Sequence, residues 1–134
     1  TGEIFALLAE QSVLRHGLGT GWCDTAFAEA VTAAARNPET LPTALFALRA
    51  QGLLQGLSPD AARARLSGML IGAELAATRA LWQDRPIALL GDGRLSRLYA
   101  DALALLGATA RVTDGTTLTL AGLTRAYRML QERS

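Results

Sequence analysis

Residues 86–107, PIALLGDGRLSRLYADALALLG, decide how the chain folds. Residues 87–91 are apolar at successive positions, the pattern of a strand buried in a parallel sheet. The turn Gly91-Asp92-Gly93 follows, with Ser96 three residues on, and a helix is predicted from Arg94 to Leu106, burying Leu95, Leu98, Leu103 and Leu106. A second strand around Thr109–Thr113 and a last helix from about Leu118 to Glu132, carrying Leu120, Leu123, Tyr127 and Leu130, complete the unit. Strand, helix, strand, helix implies a right-handed βαβ crossover with parallel strands.

Upstream the chain reads as helical. Alanine and leucine dominate, and valine and isoleucine together occur only six times, which favours helix because β-branched side chains lose rotamer freedom there. A first helix is predicted from Gly2 to Leu14, with Ile4, Leu7 and Leu8 on one face. Asp24 is placed as the N-cap of a second, which Asn37-Pro38 ends. A third runs from Thr40 to Leu54 and buries Leu41, Leu45, Phe46 and Leu48. Ser58-Pro59-Asp60 is the clearest start signal: a hydroxyl cap, a proline where its missing N–H costs nothing, and an acid at the positive helix end. The fourth helix continues to about Trp82, and Gly68, Gly72 and Ala76 form a stripe of small residues on which another helix can pack closely. The expected class is therefore α/β, predominantly helical: one domain of 134 residues, with a helical part over 1–85 and a βαβα unit over 86–134.

Two parallel strands are marginal alone, since parallel sheets normally continue and are covered on both faces. The chain, which starts a helix at its first residues, is thus expected to be a fragment of a longer protein, its sheet completed by an absent segment or by a partner. An exposed sheet edge predicts a homodimer or larger assembly.

Composition removes several function classes. All 13 basic residues are arginine against 12 acids, so the lysine-ended phosphate loop and lysine nucleophiles are excluded. The charges are scattered, which gives no footprint for nucleic acid. No apolar run approaches the ~20 residues of a membrane span, and no secretion signal is apparent. Cys23 with His16 makes no metal ligand set, and a lone cysteine fits a soluble, cytoplasmic protein.

The glycine turn sits where a strand hands over to a helix, a natural site for an anion or nucleotide because free N–H groups and the helix dipole meet there. One reading is a dinucleotide fold, with Asp114, 23 positions after Gly91, as the ribose acid; Ser96 stands where that fingerprint has its third glycine. A second is an adenosine site like that of the actin, hexokinase and heat-shock ATPase superfamily, which needs no lysine. A third is a turn that binds nothing, the βαβα unit then being a lid on a helical interaction module.

Three stretches together, TGEIFALLAEQSVLRHGL (1–18), LFALRAQGLLQGLSPDAARARLSGMLIGAEL (45–75) and LLGDGRLSRLYADALALLGATA (89–110), resemble the C-terminal part of the 2-dehydro-3-deoxygalactonokinase family. TGEIFALL and ARLSGMLIGAEL are the most specific. The resemblance implies a ribonuclease-H-like, actin-like ATPase lobe from a two-lobed kinase that moves the terminal phosphate of ATP, with Mg²⁺, to the 6-hydroxyl of 2-dehydro-3-deoxy-D-galactonate. It implies adenosine contacts at Gly91, Asp92, Gly93 and Ser96, and places Thr1, Gly2 and Glu3 near the cleft between lobes. The catalytic aspartate and both phosphate loops would lie outside these residues, so the chain alone should be inactive.

Other residues take plainer roles. Glu74 reads as a hydrogen-bonded glutamate on a helix edge, His16 as structural, and Asp114 as a cap of the last helix. Arg94 and Arg97 flank the turn and could stack on a base. Trp22 and Trp82 are expected to be buried, or to lie on a face lacking its neighbour.

Overall fold

The computed structural model describes residues 1–91 and 93–131. Its elements in order are α1 (Gly2–Gln11), α2 (Asp24–Arg36), α3 (Leu41–Leu54), α4 (Pro59–Ala77), α5 (Arg79–Trp82), β1 (Ile87–Gly91), α6 (Gly93–Leu105), β2 (Ala110–Asp114) and α7 (Gly115–Gln131), with 3₁₀ turns at Val13–Gly17 and Pro38–Thr40. The chain is mostly helical, with one two-stranded parallel sheet. Among the described residues no helix is long and apolar enough to cross a membrane.

The central element is α4. Ser58 is its N-cap and accepts from the Ala61 N–H at 3.3 Å, and Pro59 opens its first turn. Ser58→Ala removes one of the acceptors for the first-turn N–H groups and should cost about 1 kcal/mol, read as a lower urea midpoint at unchanged slope.

Helix α4 serves two cores. Ala64, Ile71 and Leu75 join Phe27 and Val31 of α2 and Leu103 of α6. Ala62, Leu66 and Leu70 join Leu14 and Leu48, with Phe5, Leu8 and Leu45 packed around them. Between α2 and α4 the predicted glycine stripe sets the spacing. A Cβ on Gly68 would lie 2.6 Å from the Phe27 carbonyl oxygen, and one on Gly72 2.5 Å from that of Val31, so the helices are in backbone contact.

Several boundaries and faces differ from the sequence expectation. Helix α1 stops at Gln11, not Leu14, because the Ser12 hydroxyl bonds the Leu8 carbonyl and accepts from the Leu14 N–H, drawing the backbone into an extended residue. Its packed side chains are Phe5, Leu8 and Ala9, whereas Ile4 and Leu7 are exposed. The cap position of α2 is Cys23, and Asp24 is already helical. Phe46, expected in the core, is 82% exposed; Leu48 is the fully buried residue of α3, and Leu41 and Leu45 share its side. The fourth helix breaks at Thr78, leaving Arg79–Trp82 as a separate turn. Trp82 is partly buried and donates its indole N–H to the Leu75 carbonyl at 2.9 Å.

Strands β1 and β2 pair in register, Ile87 with Ala110 through Gly91 with Asp114. Ile87, Leu89 and Ala110 pack toward the core that contains Ala102 and Leu103 of α6. The strand read as buried is only half covered: Leu90 is 60% exposed, and Val112 is also exposed. Helix α7 begins three residues earlier than expected and has no buried residue; Leu120, Leu123, Tyr127 and Leu130 are all exposed. Glu132, where the sequence ends this helix, lies outside the described residues.

Candidate functional site

The parallel register brings the carboxyl ends of both strands together, and each hands over to a helix at a glycine. Gly91 pairs with Asp114; Gly93 opens α6 and Gly115 opens α7. An open cavity of about 560 Å³ lies there, walled by Gly91, Gly93, Asp114, Gly115, Thr116 and Thr119, with Leu120 as its apolar side. Crevices outside the carboxyl ends of parallel strands are where open α/β sheets bind ligands.

The predicted site residues fall in distinct places. Gly91 has φ +147°, a conformation essentially restricted to glycine. Gly93 has nothing within 4 Å of where a side chain would begin, so its backbone is open to approach. Ser96 is buried, at 6% exposure, and its Oγ lies 3.8 Å from where a Cβ on Gly91 would sit; its side chain lies beneath the turn. Asp92 is outside the described residues. Gly91 and Gly93 thus share the cavity wall, and Ser96 is not part of that wall.

Asp114 is the cap that the sequence suggested. Its carboxylate accepts from the Thr117 N–H at 2.8 Å, the Thr117 hydroxyl at 2.7 Å and the Thr116 N–H at 3.4 Å. These bonds, those of Thr117 foremost, hold its carboxyl below the usual carboxylate range. With its oxygens committed to α7, Asp114 is poorly placed to take a ribose hydroxyl, which weighs against the dinucleotide reading. Among the described residues there is no group of three or more His, Cys, Asp or Glu side chains that could hold a metal ion.

Glu74 lies at the edge of α4, bonded by the Tyr99 hydroxyl at 2.8 Å and by the Thr1 hydroxyl. Partial burial pushes the Tyr99 hydroxyl up to about 12; the bond from Thr1 works against this, and Glu74 adds to it. The sign is that of a group raised above its unfolded value. The stability contributed by neutral Tyr99 is complete below pH 10 and is lost as pH rises toward 12. Tyr99→Phe should remove the alkaline ionisation step near pH 12 in ultraviolet absorbance and lower stability at neutral pH by about 1 kcal/mol, the worth of one hydrogen bond.

Thr1 and Gly2 line a second cleft beside the first turn of α6, together with Arg94 and Leu95, while Glu3 is exposed on α1. Arg94 stacks 5.6 Å from the ring centroid of Trp22, and that ring tilts at 43° against Phe27. The residue expected to stack on a base therefore stacks on the protein. Arg97 is exposed. The sequence reading missed Arg63 in this cleft. In AARARL it looks like one arginine of a solvated helix face, and only the long-range approach of Phe5 and Gly19 gives it a setting.

Fold and site define a small parallel βαβα unit, open at the carboxyl ends of its strands, mounted on a helical body. The profile of the 2-keto-3-deoxy-galactonokinase family matches residues 1–126. A Rhizobium meliloti (strain 1021) protein, the probable 2-dehydro-3-deoxygalactonokinase DgoK1, is 36% identical over 137 aligned residues, covering 97% of this chain and 44% of its own. The crystal structure of a Sinorhizobium meliloti protein assigned as a 2-dehydro-3-deoxygalactonokinase superposes with TM-score 0.88 at 35% identity, over 96% of this chain and 44% of that one. The chain belongs to the 2-keto-3-deoxy-galactonokinase family. It spans less than half the length of these relatives.

Proposed function

We propose that this chain is the C-terminal, ribonuclease-H-like lobe of a two-lobed cytoplasmic kinase that transfers the terminal phosphate of ATP to the 6-hydroxyl of 2-dehydro-3-deoxy-D-galactonate. Its part in the reaction is to hold adenosine. The observation that carries the reading is the open cavity at the carboxyl ends of β1 and β2, where Gly91 takes a glycine-only conformation and Gly93 leaves its backbone uncovered. The family's 2-keto-3-deoxy-galactonokinase name and the relatives' names supply the sugar acid.

Positioning is the main work in phosphoryl transfer, because the loose transition state leaves little covalent chemistry to the protein. On this reading the backbone at Gly91, Asp92 and Gly93 lies against the nucleoside. Ser96, held beneath the turn, supports it. Asp114 fixes the start of α7 across the cavity. Mg²⁺ would neutralise phosphate charge, but this chain offers no ligand cluster for it among the described residues. The aspartate that accepts the sugar hydroxyl proton belongs to the other lobe. The 134-residue chain alone is expected to bind nucleotide and transfer nothing. Its uncovered sheet edges and the exposed apolar side of α7 favour a dimer or larger assembly of the isolated chain, which light scattering would detect; a monodisperse monomer at high concentration would exclude it.

The test is phosphoryl transfer by the full-length protein, with phosphorus NMR of the product. ATP-dependent appearance of a phosphate ester on C6 of the sugar acid supports the reading. No transfer, or a melting temperature raised by NAD and not by ATP, overturns it.

A further inference from the structure

The loop HGLGTGW, residues 16–22, is moulded to the start of α4. The Gly19 N–H donates to the Pro59 carbonyl at 2.9 Å, and the Gly21 N–H donates to Asp60 Oδ1 at 2.9 Å. A side chain at Gly19 or Gly21 would collide with the Asp60 carboxylate, so glycine lets the loop wrap that closely. The wrap fixes where Trp22 stands. Its ring packs on the larger core, 5.4 Å from the Phe27 ring, and the Arg94 guanidinium lies over it at 5.6 Å.

Arg94 directly follows Gly93 of the glycine turn. Among the described residues, a Cβ on Gly93 would meet nothing within 4 Å and one on Gly91 only Ser96 Oγ, at 3.8 Å, so these glycines make few contacts of their own. Their placement depends on neighbours. Ser96 is buried beneath the turn, and Arg94 on Trp22 fixes the next residue along the chain. A planar guanidinium over an indole face is an attraction with a defined geometry, so Trp22 restricts where the backbone at residues 93 and 94 can go. Neither Trp22 nor Arg94 lines the open cavity, so both act from outside it.

We propose that Trp22 is a positioning residue for the nucleotide: it holds Arg94, and through it Gly93, in the placement that receives the nucleoside. This role rests on the proposed adenosine site.

Calorimetric titration of the full-length protein with ADP, alongside melting temperatures, is the test. Trp22→Leu should weaken ADP binding roughly fivefold, the size of one cation–π contact, whereas Trp22→Phe keeps an aromatic face and should stay within about twofold of the parent. Val31→Ala separates lost core packing from lost positioning. Val31 is fully buried in the same core and does not line the cavity, so its variant should melt lower and bind ADP as the parent does. The further readout is coupling: in an Arg94→Gln background, Trp22→Leu should cause less than about a twofold additional loss, because substitutions that remove one shared contact are not additive. If circular dichroism shows Trp22→Leu to be unfolded, Arg94→Gln carries the test with the same roughly fivefold loss expected. A parent that binds no ADP overturns the kinase reading and this role with it. A parent that binds ADP overturns this role alone if Trp22→Leu binds equally well, if Val31→Ala loses as much affinity, or if the two substitutions are additive; Trp22 is then a core residue with an arginine resting on it.

Discussion

Gly72→Val should lower the melting temperature by roughly 10 °C or more. The first added carbon would lie 2.5 Å from the Val31 carbonyl oxygen, 3.0 Å from the Val31 Cα and 3.1 Å from the Ala34 Cβ. Two of these three neighbours are backbone, and neither can rotate out of the way; the third is a Cβ held by its own backbone. Relief requires α2 to move off α4, and α2 supplies Phe27 and Val31 to the larger core. Overpacking typically costs 1–3 kcal/mol where side chains can adjust, so a clash with backbone should reach about 3 kcal/mol or more. That is a large part of the ~5–15 kcal/mol that holds a domain together, and each kilocalorie shifts the midpoint of a domain this size by roughly 2–8 °C. Gly52→Val is the comparison. Gly52 lies in a helix with nothing within 4 Å of an added Cβ, so its variant should melt within a few degrees of the parent. Equal melting of the two variants would mean that α2 and α4 are not in backbone contact.

Gly91→Val should weaken nucleotide binding by about 100-fold. At φ +147° a β-branched residue is strained, by roughly 1–3 kcal/mol. Relaxing that strain turns the backbone whose surface is proposed to meet the nucleoside. Stability and binding are separated by Gly107→Val. Gly107 also has positive φ, +83°, but it lies between α6 and β2 and does not line the glycine-turn cavity. Both variants should lose stability, and only Gly91→Val should lose affinity for ADP in a calorimetric titration. If Gly107→Val loses affinity equally, the effect is one of general destabilisation and the turn has no special role.

Local chemistry in the sequence was legible where one residue determines one event. Ser58-Pro59 started α4, Asn37-Pro38 ended α2, and the run Ile87–Gly91 became a strand with its partner in parallel. The glycine stripe was legible because only small side chains permit two helix backbones to touch. Which face a helix buries was harder to read. Helix α3 carries leucine and phenylalanine on several sides, so periodicity could not choose between Leu48 and Phe46, and the position of α4 settled it. The same limit applies to α1, where Phe5 and Leu8 face inward and Ile4 and Leu7 do not. Helix α7 has an apolar side on which, among the described residues, none is buried, since periodicity identifies residues that share a face but not whether that face is covered. At the candidate site the glycines were legible as a turn that needs them. Arg63 was not, because its setting depends on residues 44 and 58 positions away.

On the proposed function, a nucleoside lies against the backbone between β1 and α6. The most direct measurement is amide chemical-shift mapping of the full-length protein titrated with ADP. The prediction is saturating shifts concentrated at the amides of residues 91–96 and 115–116, with the Gly19–Gly21 loop and α3 unmoved. Saturating shifts centred elsewhere, with residues 91–96 unperturbed, would contradict it.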